Sequence, residues 1–308
     1  LIALVLLVMV GCGAATRIAY ISTGDAIYVI DPDGSNERRV VVDKHLNGMP
    51  CWSNDNTRIA FLSSDLFEKQ WKHNLVITSI DGDEETVIDL GIIPEVAETN
   101  SLVSIGPGCW HPQKDSILVE VQQLMTSSPR NLYELSIGDG IARFDGLPFR
   151  LLLSDGNSAI WSPNGDKLLF HKESPRFVNI MVQIANAEDG TILMQDINEG
   201  ICTSWSAKTK KLLCFEEGGL EEEGRGSIFT VNLDGTEKTK IALLQLDEEE
   251  IPLMPAWSPN SEKILFTTMK QSSDGTPECR MYTANIDGTE ESKLLDRLDA
   301  CFGIYSNP

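Results

Sequence analysis

The strongest constraint on this chain is a phrase it repeats. Ala256 to Thr268 reads AWSPNSEKILFTT: a tryptophan, a Ser-Pro turn signal, a few polar residues, then a short apolar run ending on an aromatic. The same phrase stands at Trp161 (IWSPNGDKLLFHK), Trp52 (CWSNDNTRIAFLS), Trp110 (CWHPQKDSILVEV) and Trp205 (SWSAKTKKLLCFE). The tryptophans are 58, 51, 44 and 52 residues apart in order. One structural unit recurring at such a period is the signature of a repeat architecture built around a shared core. A chain of 308 residues that could hold two ordinary domains is therefore read as one body.

A second phrase alternates with the first. Asp-Gly pairs occur at Asp33-Gly34, Asp81-Gly82, Asp139-Gly140, Asp189-Gly190, Asp234-Gly235 and Asp287-Gly288. Asp-Gly favours tight hairpins because glycine accepts positive φ and aspartate bonds its own backbone. Two hairpin signals per period give four short strands, which is a propeller blade. Asp-Gly hairpins exceed tryptophan phrases by one, and the chain ends supply the missing half: Tyr-Ser-Asn-Pro at Tyr305 starts a unit, and RIAYIS from Arg17 continues it. The expectation is an all-β, six-bladed β-propeller of four-stranded antiparallel blades over 17–308, closed by pairing of the N- and C-terminal strands. Closure removes the free sheet edges of an open array. Trp52, Trp110, Trp161, Trp205, Trp257 and Tyr305 are then repeat aromatics filling the space between neighbouring sheets. Trp71 falls outside the register, in a stretch (Asp65 to Asn74) read as a loop, where it either contacts a ligand or packs over the rim.

The W-S-P half followed by hairpins such as SIFTVNLDGTE (Ser227 to Glu237) and RMYTANIDGTE (Arg280 to Glu290) resembles the TolB-type β-propeller repeat, over nearly all of the chain after residue 17. The resemblance implies the propeller fold and a cell-envelope setting with protein partners. Proteins of that type carry an additional N-terminal α/β domain. Here the repeats begin at Arg17, so that domain is expected to be absent and its specific partners are not carried over. Similar propellers precede the hydrolase domain of prolyl-oligopeptidase-type peptidases, but this sequence holds no G-x-S-x-G nucleophile elbow.

Residues 1–15, opening LIALVLLVMVGCG, form an apolar run closed by small residues, as in an export signal. This run is shorter than the roughly 20 residues a spanning helix needs. Met9-Val10-Gly11-Cys12 resembles a lipobox, with cleavage before Cys12 and lipid on its sulfur; a plain cleaved signal and an uncleaved anchor are the alternatives. Each places the folded part outside the cytoplasm, with the membrane reached only through this N-terminal lipid or anchor. An oxidising compartment permits disulfides among the remaining cysteines. Cys202 and Cys214 flank one hairpin and are either a disulfide or two small buried hydrophobes.

A net charge of -21 excludes nucleic acid, whose binding needs clustered Lys and Arg. The four histidines, His45, His73, His111 and His171, have no metal-ligand spacing, and His111 occupies the turn position that serine holds elsewhere. Asp31 to Asn36 looks like a calcium loop but lacks its twelfth-position glutamate, where Val42 stands, and is read as a hairpin turn. The acidic stretch from Glu216 to Gly226 and the longer connections at 92–108, 125–131 and 271–278 are candidate binding loops. No catalytic, cofactor or metal set emerges. The expected function is a monomeric, non-enzymatic binding module for a cell-envelope protein or small ligand. The alternatives are a carbohydrate lyase or hydrolase using residues from several blades, and a structural or sensory spacer.

Overall fold

The computed structural model describes residues 16–22, 26–41, 46–67, 70–93, 101–106, 108–123, 130–137, 148–173, 180–197, 200–216, 226–242, 250–271, 277–295 and 302–305. These residues form six four-stranded sheets. Blade 1 contains β1 (Ile18–Ser22), β2 (Ala26–Ile30), β3 (Arg38–Val41) and β24 (Phe302–Tyr305). Blade 2 contains β4 (Leu46–Trp52), β5 (Arg58–Phe67), β6 (Gln70–Ser79) and β7 (Glu85–Asp89); blade 3 contains β8 (Ser101–Ser104), β9 (Ser116–Gln123), β10 (Asn131–Ser136) and β11 (Phe149–Ser154). In blade 4 lie β12 (Asn157–Trp161), β13 (Lys167–Glu173), β14 (Ile180–Asn186) and β15 (Ile192–Ile197). Blade 5 is built from β16 (Ile201–Trp205), β17 (Lys211–Glu216), β18 (Ser227–Asn232) and β19 (Thr239–Lys240), and blade 6 from β20 (Ile251–Trp257), β21 (Lys263–Gln271), β22 (Pro277–Asn285) and β23 (Ser292–Leu295). Every described pairing is antiparallel. Among the described residues no helix is long and apolar enough to cross a membrane.

The repeated phrase works the same way in blades 2 to 6. Trp52 pairs with Ile59, Trp161 with Leu168, Trp205 with Leu212 and Trp257 with Ile264, while Trp110 bridges Ile117. The serine after the tryptophan donates its N–H to a carbonyl five residues on, at 2.8 to 2.9 Å, from Ser53, Ser162, Ser206 and Ser258. Asn56, Gly165 and Ser261 take the left-handed conformation this turn needs, with φ of 57°, 73° and 56°. Tyr305 lies opposite Ile18 in the same register, and β24 pairs with β1. The two ends of the chain thus complete blade 1 and close the ring at this junction.

The core lies between the blades. Trp52 packs with Ala19, Ile27 and Val29 of blade 1, and Trp257 packs with Leu213, Phe215 and Ile228 of blade 5. Trp110 and Trp161 share one cluster that runs through blades 2, 3 and 4, while half-buried Trp205 packs against the cluster joining blades 4 and 5. Ile18, Tyr20 and Ile30 meet Leu265, Met281 and Leu295 at the closing seam. Burying rings of this size between twisted sheets, on the order of 150 to 250 Å² each, is the main apolar contribution of the phrase.

The stretch from Asp65 to Asn74 is not a loop. β5 and β6 stay paired out to Phe67 opposite Gln70, which places Leu66 across from Trp71 in a long hairpin. Its sequence, DLFEKQWKHN, conceals the strand because it shows no apolar alternation, while the pairing itself is made by backbone groups.

Candidate functional site

In an antiparallel four-strand meander the first and third hairpins fall at the same end, so the W-S-P and Asp-Gly turns share one face of the ring. On that face Asp33, Asp189, Asp234 and Asp287 each accept the backbone N–H two residues on through Oδ1, at 2.9 to 3.0 Å. Hydrogen bonds from the hydroxyl and N–H of Ser35, Thr191, Thr236 and Thr289 hold these carboxyls below the usual range, so they stay charged. The Asp-Gly turns also lean on the preceding blade: Gly82 approaches the Val40 carbonyl, Gly190 that of Leu152, and Gly288 that of Ala242.

Among the described residues the largest concentration of buried ionisable groups is at the seam between blades 3 and 4. Its channel side is the bulged strand β12, whose register shifts between Asn157 and Ile160 and whose exposed Ser158 has φ of 49°. The bulge turns the Ala159 N–H out of the ladder toward Glu120 Oε1, at 3.0 Å. Ser104 Oγ donates to Glu120 Oε2 at 3.1 Å, and the Arg130 guanidinium stands 3.9 Å away. Burial raises the Glu120 carboxyl above its ordinary range despite these partners. On the other side of the bulge, buried His171 accepts the Cys202 N–H at Nε2, at 3.2 Å, while Nδ1 makes no hydrogen bond of ordinary geometry among the described residues. Burial lowers this imidazole to about 4, with the Ser158 backbone acting in the opposite direction.

Toward the turn face of the same seam, Glu134 is fully buried. It accepts from Ser116 Oγ at 2.7 Å and from Arg150 Nε at 2.8 Å, and Arg150 Nη2 reaches the Ala187 carbonyl of blade 4 at 3.3 Å. A comparable set sits in blade 6, where buried Glu250 accepts from Arg280 at 2.6 Å and Thr268 at 3.1 Å. Tyr282 beside it is pushed up to about 12, by burial first and then by the Glu250 charge. His73 bridges Ser64 (2.8 Å) and the Ser101 carbonyl (2.9 Å), linking blades 2 and 3. Chemically these groups are hydrogen-bonding latches between neighbouring strands and blades.

Cys202 and Cys214 face each other across β16 and β17 and form a disulfide with a Cα separation of 3.9 Å. A second disulfide, Cys51–Cys109, joins the innermost region of blade 2 to that of blade 3 across 6.1 Å between Cα atoms. Sequence reasoning missed it, although each cysteine immediately precedes a repeat tryptophan and so occupies the same place in adjacent blades. Cys279 is also disulfide-bonded. Cys12, His45, Asp139-Gly140 and the interior of the Glu216 to Gly226 stretch lie outside the described residues, as do the side chains of Tyr305 and Trp71. Among the described residues no three His, Cys, Asp or Glu side chains converge as a metal-ligand set.

No protein-family model and no curated protein sequence matches the chain. Solved structures do. TolB from Acinetobacter baumannii superposes with a TM-score of 0.66 at 14% identity, covering 95% of this chain and 67% of that one. A chain of a nidogen/laminin complex gives 0.59 at 14% identity, covering 94% and 98%. A prolyl endopeptidase gives 0.51 at 11% identity, and there the chain matches only 41% of the longer protein. By fold the chain is a TolB-like six-bladed β-propeller.

Proposed function

We propose that this protein is an exported binding module, anchored by lipid at Cys12, whose propeller presents a face or its channel to a cell-envelope protein or a small ligand. The observation that carries this reading is the use made of its cysteines and buried charges. The Cys51–Cys109 and Cys202–Cys214 disulfides, the first of them between blades, together with disulfide-bonded Cys279, fit a chain that matures in an oxidising compartment. Glu120, Glu134, Glu250, His73 and His171 are engaged with backbone groups, hydroxyls or arginines that hold strands and blades together, leaving recognition to the surface of a rigid ring. Affinity capture from envelope extracts, with the free propeller as competitor, should retain one specific protein or ligand. Capture that is empty or not competed across growth conditions overturns the reading. Replacing Cys12 with Ser should move the protein from the membrane to the soluble fraction and abolish fatty-acid labelling.

The carbohydrate-active alternative has one observation in its favour: a carboxyl with a raised pKa, Glu120, and an imidazole with a lowered one, His171, flank exposed Ser158 on the channel strand. It requires turnover on an oligosaccharide panel that the E120Q variant loses while keeping its fold.

A further inference from the structure

Four of the five tryptophan turns use a serine hydroxyl where the fifth uses an imidazole. Ser53, Ser162 and Ser258 Oγ each accept the N–H five residues on, at 2.9 Å, and Ser206 Oγ accepts that of Thr209, at 2.9 Å. In blade 3 His111 Nδ1 is the acceptor inside the turn, as Ser206 is in blade 5, taking the amides of Gln113 at 3.0 Å and Lys114 at 3.1 Å. A hydroxyl accepts equally well at any ordinary pH. An imidazole nitrogen that accepts carries no proton, so the ring must be neutral with its hydrogen on Nε2. A proton arriving at Nδ1 would put a third donor against two others.

The ring's position makes this consequential. His111 is buried, stands edge-on to Trp161 of blade 4 with centroids 4.5 Å apart, and lies so close over Gly165 that a Cβ there would sit 2.5 Å from Cε1. Its carbonyl accepts from Asn54 Nδ2 of blade 2 at 2.5 Å. We infer that His111 is a proton-operated latch on the seam between blades 3 and 4: acidification expels its turn amides and frees the ring from Trp161 and Gly165, while the seam between blades 2 and 3 stays shut.

The surrounding charges set the response. Burial disfavours the imidazolium most, Lys114 and Arg150 add to this, and Glu134 and the Gly165 backbone oppose it. On the adjoining turn of blade 4, Asp166 is paired with Lys167 at 2.6 Å. On that of blade 2, Asp55 is held by Ser53 and Thr57, and Arg58 reaches Asp115 at 3.5 Å while lying over the Trp110 ring. The seam of blades 2 and 3 is also bridged by an imidazole, His73, but the Cys51–Cys109 bond, which no proton opens, keeps those blades joined when His73 is protonated. That difference makes the release local.

Hydrogen exchange of the intact protein from pH 7.5 to 4.5, corrected for intrinsic rates, tests the latch. In the wild type, protection of the amides at 113–114, 161–162 and 164–167 should fall by about tenfold or more over this range. Protection at 53–58 should hold. H111S restores the residue of the other repeats and should abolish the fall without loss of fold; H111N, which keeps an acceptor, serves if the serine variant is unstable. The same fall in either variant, no fall in the wild type, or an equal fall at both seams overturns the proposal. So does NMR showing the proton on Nδ1 of His111 at neutral pH.

Discussion

At the scale of single residues, the turn glycines separate backbone strain from contact. Gly34 and Gly288 occupy equivalent Asp-Gly turns with φ of 87° and 81°, so alanine carries the same left-handed penalty at both, about 1 kcal/mol. Their surroundings differ. A Cβ on Gly34 would meet Leu294 Cδ1 at an ordinary 3.6 Å, whereas one on Gly288 would lie 2.0 Å from the Ala242 carbonyl oxygen, which belongs to backbone and cannot swing away. G34A should cost about 1 kcal/mol and G288A about 3 kcal/mol or more, read from denaturant midpoints. Buried histidines give a second prediction. His73 and His171 are both lowered below 6.5 by burial, so the unfolded chain binds their protons first as pH falls. Their stability contribution is complete above pH 6.5 and is lost as pH drops toward the folded values. For His171, lowered to about 4, this amounts to about 3 kcal/mol by pH 4. Glu120 runs the other way: its raised pKa means that protonation on the acid side relieves a cost. H171Q should therefore flatten the pH dependence of unfolding between 6.5 and 4; an unchanged profile would mean that other groups carry the acid sensitivity.

At the scale of elements, local regularity was legible and contact between blades was not. The W-S-P phrase announces its turn because proline, a capping serine and a left-handed Asn or Gly each have a local reason to be there. Nothing local announces that Glu120 meets Ala159, which depends on the bulge in β12, or that Arg150, paired with Glu134 inside blade 3, reaches across to the Ala187 carbonyl of blade 4. The reading of Trp71 as a loop residue failed for a related reason: β5 and β6 pair backbone to backbone through Leu66 and Trp71, and that pairing leaves no apolar alternation in the sequence to announce it. The cysteines fall between these cases. Cys202 and Cys214 were visible as hairpin neighbours, while Cys51 and Cys109 become visible only when adjacent repeats are superimposed. The two bridges should contribute unequally. The bridge between blades closes a separation of 58 residues and the hairpin bridge one of 12. Chain entropy assigns them about 4 and about 3 kcal/mol respectively. The C51S/C109S double variant should lower the denaturation midpoint more than C202S/C214S. The reverse order would place the stabilisation in native contacts, with the entropy of the unfolded chain secondary.

At the scale of the molecule, the ring was readable because counting repeats leaves half a blade over at each end of the chain. That count requires the ends to meet, and β24 does lie beside β1, with Tyr305 in the register of the repeat tryptophans. The energetic consequence follows from what the seam covers. Without β24, Ala19 and Ile21 on β1 lose their partners Ile304 and Phe302, and β1 becomes an exposed edge. The apolar cluster of Ile18, Tyr20, Leu265 and Met281 would then be held by blades 1 and 6 without a strand spanning the inner side of their junction. A chain ending at residue 301 should melt at a lower temperature and bind a hydrophobic dye, while keeping most of its β signal because five blades retain all their strands. A synthetic peptide of residues 302–308 should restore the midpoint saturably, and a peptide with proline in place of Ile304 should not, because the pairing with Ala19 is backbone to backbone. If the truncated chain melts as the full one does, the seam is maintained by blade packing alone, and strand exchange between the termini contributes topology without stability.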